Sequence, residues 1–69
     1  MKLLHFFGSL TATIVNDADG VNIYVLNNIT ESEHLFARLN YSEPLTNLYV
    51  VLNKIKKSAD QLNENFKQL

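Results

Sequence analysis

Cysteine is absent from the chain, which excludes disulfides and thiolate metal ligation. The two histidines, His5 and His34, are too few for a protein-built zinc site and have no acidic partner at a telling spacing. They read as an outward strand position and a helix surface position, so no metal and no cofactor is expected. No apolar run approaches the roughly 18 residues of a membrane span, and the expected setting is cytoplasmic with no membrane contact. Glycine occurs only at Gly8 and Gly20, too far apart for a phosphate-cradling loop. Ser9 is the only serine of the first strand, and no nucleophile elbow or Ser-His pattern surrounds it. These absences argue against an enzyme.

Charge is also sparse. The chain carries a formal net charge of −1 over 69 residues, so no global field draws it to nucleic acid or an anionic surface. The halves differ, however. Up to Glu43, Lys2 and Arg38 stand against Asp17, Asp19, Glu31, Glu33 and Glu43; from Pro44 onward, Lys54, Lys56, Lys57 and Lys67 stand against Asp60 and Glu64. An acidic body and a basic tail would allow head-to-tail pairing, and ordinary surface charge is the plainer reading of this asymmetry. The opening Met1-Lys2-Leu3-Leu4 resembles a short secretory signal, but His5 interrupts the run and a strand fits it better. Asn28-Ile29-Thr30 and Asn40-Tyr41-Ser42 match the glycosylation pattern, which would matter only in a secreted chain, and both read better as helix starts.

What is present is the composition of a folded domain, 46% apolar and 19% charged. Leu4, Phe6, Gly8, Leu10, Ala12 and Ile14 fall on alternate positions, the period of a strand with one buried face, in which Gly8 would mark a bulge or bend. Asn16-Asp17-Ala18-Asp19-Gly20 reads as a turn. A calcium loop aligned on Gly20 would put Val15 and Leu26 at ligand positions, and neither supplies a side-chain oxygen. Val21, Ile23 and Val25 then mark a second strand, and residues 2–28 are expected to form a β-hairpin.

Thr30-Glu31-Ser32-Glu33 has the form of a capping box, which predicts a short helix over 30–40 carrying Leu35, Phe36 and Leu39 inward. Ser42, Glu43 and Pro44 have the form of a second start. Leu45, Leu48, Leu52, Ile55, Ala59, Leu62, Phe66 and Leu69 follow spacings of three and four, a heptad seam on a long amphipathic helix over 43–69. The fold expected for residues 1–69 is thus a single small α+β domain of order ββαα.

So small a chain buries little surface, and a seam that outruns its hairpin calls for a neighbour. The expectation is a homodimer with Leu52, Ile55, Ala59, Leu62, Phe66 and Leu69 at its interface. Phe7, Tyr24 and Leu26 fall opposite the predicted core and, with Asp17 and Asp19, form a candidate surface for an unidentified protein target. The function this pattern predicts is a non-catalytic protein–protein interaction module. Small cysteine-free chains of this kind are common among phage and mobile-element inhibitors of host proteins, including anti-CRISPR and anti-restriction proteins. Nine asparagines and five lysines to one arginine fit the AT-rich genome such a source would have, and the setting would then be the host cytoplasm. One alternative is a nucleic-acid-binding regulatory module using Lys54, Lys56 and Lys57, which the net charge disfavours. Another is a structural subunit of a larger assembly.

Overall fold

The computed structural model describes residues 2–67, with side chains over 2–65. Four strands, β1 (Lys2–Phe6), β2 (Leu10–Asn16), β3 (Gly20–Asn27) and β4 (Glu33–Asn40), form one antiparallel meander in that order. Among the described residues a single helix, α1 (Thr46–Lys67), packs on one face. The domain is α+β, but its order is ββββα. The expected ββαα order is overturned at two places.

The first is the stretch read as one long strand. Gly8 has a φ of 82°, and the Phe7 amide donates to the Leu10 carbonyl at 2.9 Å. Left-handed glycine at the first central position is the signature of a two-residue II′ hairpin turn, whose twist suits the strands it joins. The chain therefore reverses at Gly8-Ser9 where a bulge was expected. The register that follows pairs Lys2 with Val15, Leu4 with Thr13 and Phe6 with Thr11. Even positions of β1 thus share a face with odd positions of β2. Leu4 and Phe6 turn away from the helix, while Leu3, His5 and Phe7 join Ile14, Ala12 and Leu10 on the helix side.

The second is the short helix expected over 30–40, which is β4. The Thr30–Glu33 capping box does not form: the Thr30 hydroxyl bonds that of Ser32 at 2.8 Å, and Asn27 caps a single turn instead. The Asn27 side chain accepts from the amides of Ile29 and Thr30 at 2.9 and 3.1 Å, and the Asn27 carbonyl accepts from Glu31 at 2.8 Å. Glu31 then adopts a φ of 61°, which ends the turn and sends the chain back along β3. The strand period is hidden by a bulge: Ile23 pairs with Ala37 and Tyr24 with Leu35, leaving Phe36 as the extra residue. Phe36 and Ala37 both fall on the helix side, so Leu35, Phe36 and Leu39 imitate a helical spacing.

The core lies between sheet and helix. Leu10, Ala12 and Ile14 of β2, Ile23 and Val25 of β3, and Ile55 and Ala59 of α1 are buried, with Phe7, Val21, Ala37, Leu39, Leu48, Val51, Leu52 and Leu62 packed around them. Each large aliphatic side chain so buried contributes about 1.5–3 kcal/mol. Gly20 permits the strand ends to close: a Cβ there would stand 2.2 Å from the Leu39 carbonyl oxygen, so β3 and β4 meet only because none is present. The carboxylate of Glu43 prepares the helix start, accepting from the Asn40 amide at 2.7 Å and the Asn47 side chain at 3.2 Å. From there α1 runs past Val21 and Leu39 toward the Gly8 turn, where Asn63 holds Ser9.

Candidate functional site: an uncovered sheet face

Among the described residues one helix covers one side of the meander, and none of them lies over the other face. Cross-strand pairing arranges it in three rows: Phe6-Thr11-Leu26-Glu33, Leu4-Thr13-Tyr24-Leu35 and Lys2-Val15-Asn22-Arg38. The first two rows are largely apolar, and Leu4, Phe6 and Leu35 are 62%, 73% and 53% exposed. Tyr24 and Leu26 are half-buried. Thr11 and Thr13, at 4% and 5% exposure, form a floor beneath their larger neighbours on β1 and β3. The Thr11 hydroxyl is satisfied by donating to Asn28 Oδ1 at 2.9 Å, so the floor carries no polar demand there. A solvated antiparallel face should alternate to polar side chains; an apolar one marks a contact surface.

In the third row Asn22 and Arg38 are bonded to each other and to Asp17 of the neighbouring turn. Arg38 Nη1 donates to Asp17 Oδ2 at 2.9 Å and to Asn22 Oδ1 at 2.5 Å, and Asn22 Nδ2 donates to Asp17 at 3.0 Å. Asp17 Oδ1 accepts from the amides of Asp19 and Gly20 at 2.8 and 2.9 Å, while Tyr41 bonds the Asp17 carbonyl. The Arg38 guanidinium first, then the Asp19 amide, the Asn22 side chain and the Gly20 amide, hold the Asp17 carboxyl well below the usual carboxylate range. Arg38 is shifted up in turn, chiefly by its hydrogen bond to Asp17.

Of the expected partner surface, Tyr24 and Leu26 do lie on this face. Phe7 does not: the Gly8 turn puts it against the core. Asp17 is engaged in the turn it closes, and Asp19 is exposed beside it at the far end of the strands. Leu4, Phe6 and Leu35, expected in the interior, are exposed on this face. The signal that would have found Leu4 and Phe6 is Gly8-Ser9 read as a turn, since that reversal alone flips the parity of β1.

The seam residues are distributed differently from the expected interface. Ile55 and Ala59 are 1% and 0% exposed against the chain's own sheet, with Leu52 and Leu62 half-buried beside them. The side chain of Phe66 and all of Leu69 lie outside the described residues. Lys54, Lys56 and Lys57 are exposed on α1, in the layer opposite Phe6 and Tyr24. Tyr24 therefore lies on the face away from these lysines, whereas Phe7, packed against the core, and Tyr49, exposed on α1 itself, lie on the lysines' side of the sheet.

A cleft of about 250 Å³ opens between α1 and β4, floored by Leu10, Val25, Phe36 and Ile55 and rimmed by His34 and Ser58. It is smaller than the roughly 300–1,000 Å³ typical of small-molecule sites. Among the described residues no group of three or more acidic or histidine side chains could hold a metal, and no buried side-chain nitrogen or oxygen lacks a partner. No helix among them is long and apolar enough to cross a membrane. Comparison with protein-family models, curated proteins and solved structures finds no match for this chain.

Proposed function

We propose that the chain is a non-catalytic binding module that engages a protein target through the uncovered sheet face. The observation that carries this reading is the two-row apolar patch of Leu4, Phe6, Tyr24, Leu26 and Leu35 with the helix on the opposite side. Aromatic and aliphatic anchors surrounded by polar groups are the anatomy of a protein–protein contact. Here Glu33, Lys2, Asn22 and Arg38 supply the polar rim. A chain that works in this way acts by occupying its target's surface, which is how a small inhibitor of a host protein would act.

The test compares two baits in a lysate of a low-GC bacterium. Phe6→Glu combined with Leu35→Glu should retain the fold, because both positions are exposed, and should lose the target captured by the wild type. Lys54→Glu combined with Lys57→Glu should keep it. A target recovered equally by wild-type and Phe6/Leu35 baits would place the contact elsewhere.

A further inference from the structure

β1 differs from every other element in being exposed at all five of its residues while carrying apolar side chains on both faces. Leu4 and Phe6 stand on the open face; Leu3, 53% exposed, stands on the helix side. A near-continuous apolar run is the mark of a strand covered on both faces, yet β1 is the edge of the sheet. Its backbone is also open. Phe7 and Leu10 form the hydrogen-bonded pair at the turn, so alternation turns the amide and carbonyl groups of Leu3 and His5 toward β2 and those of Lys2, Leu4 and Phe6 outward. The opposite edge, β4, is interrupted by its bulge at Phe36, a common protection against further pairing. β1 has five unbroken pairs and no such device.

We infer that β1 pairs antiparallel with β1 of a second copy of this chain about a two-fold axis at Leu4, joining two four-stranded sheets into one. The strand is self-complementary in that register. Leu4 meets its own copy, and Lys2, the strand's one charged residue, lies beside Phe6 of the partner, where the ring offers a cation–π contact in place of a like charge. Leu3 meets His5 on the helix side. All the outward amides and carbonyls of Lys2, Leu4 and Phe6 then find partners. The pairing leaves Tyr24, Leu26 and Leu35 free, so it goes beyond target binding and can fail separately from it. One short strand per copy is a small contact, below about 1,200 Å² in total, which sets the association in a weak, concentration-dependent range.

Sedimentation equilibrium tests the contact with two substitutions at one position. Leu4→Pro removes the outward amide and is compatible with an edge strand, whereas Leu4→Ala removes the side chain and keeps the amide. Wild-type mass should rise from 7.9 kDa toward twice that value with concentration. Leu4→Ala should weaken the association by roughly tenfold and still show it. Leu4→Pro should stay at the monomer mass throughout. A wild type that remains monomeric, or a Leu4→Pro variant that associates like wild type, overturns the inference. Should Leu4→Pro fail to fold, amide exchange on the wild type decides: the Leu4 and Phe6 amides should slow as concentration rises, and exchange that ignores concentration, or slows only when a foreign protein is added, overturns it.

Discussion

Asn63, late in α1, is bonded to Ser9 in the first turn of the sheet. Its Oδ1 accepts from the Ser9 amide at 3.1 Å and from the Ser9 hydroxyl, while its Nδ2 donates to the Phe7 carbonyl at 3.2 Å. The Gly8 carbonyl accepts from Asn28 at 2.7 Å, and the Ser9 carbonyl from the Asn28 amide at 2.9 Å, so two asparagines grip one hairpin turn. This clamp locks the far end of the helix to the sheet. Ser9 is buried, and removing its partner leaves an amide and a hydroxyl without compensation. Asn63→Leu should therefore cost about 1–3 kcal/mol despite adding apolar area. At about 4–8 °C per kcal/mol in a domain of this size, a thermal melt resolves that loss. An unchanged melting temperature would mean that the turn and helix are not joined.

Nothing in the sequence singled out Asn63, which flanks the heptad seam like any polar surface residue. Its role depends on a turn 54 residues away, and that turn was itself hidden, because Leu4, Phe6, Leu10, Ala12 and Ile14 keep one alternation straight through Gly8. The long helix, the β3 strand and the Asp17–Gly20 turn were legible because each rests on local chemistry. β4 was not. Its bulge mixes the two periods, and only pairing with β3 settles which applies.

The Asp17 carboxylate ties stability to acid. Because the folded chain holds this carboxyl below its ordinary range, the unfolded chain binds the proton first as pH falls. The stabilisation is full above the unfolded value near 4 and is lost as pH drops toward the lower folded value. Asp17→Asn should be less stable than wild type at pH 7 and lose less between pH 5 and pH 2. Both groups of the Arg38 pair are exposed, so added salt should shrink the difference. Parallel pH profiles for the two proteins would show that the carboxylate contributes nothing.

Position on the helix should sort the seam. Ile55, inside α1, is 1% exposed and Leu45, in the turn just before the helix, is 70% exposed, although both belong to one unbroken heptad pattern. Ile55→Ala opens a cavity under β2 and β3 and should cost about 2–5 kcal/mol, a large part of the stability of so small a domain. Leu45→Ala should stay within about 0.5 kcal/mol. Denaturant melts distinguish these outcomes, and equal losses would mean that the helix lies on the sheet by a different face.

Glu31 offers a substitution whose sign depends on which fold the chain adopts. In a helix over 30–40, Glu31 would sit in the first turn, where its carboxylate favours the helix dipole and glycine costs about 1 kcal/mol relative to a good helix former. In the meander, Glu31 holds a φ of 61°, a conformation that costs a residue with a Cβ roughly 1–2 kcal/mol and glycine almost nothing. The Glu31 amide bond to the Asn27 carbonyl, at 2.8 Å, uses only backbone and survives the change. Part of the gain is returned as the greater freedom of glycine in the unfolded chain, so Glu31→Gly should stabilise the protein by about 0.5–1 kcal/mol. Glu31→Val should do the reverse, because a β-branched side chain tolerates the left-handed region least. Chemical denaturation of the two variants beside wild type reads the sign directly. A loss of stability in Glu31→Gly would restore the helical reading of this segment and, with it, remove β4 and the Leu35 end of the apolar face.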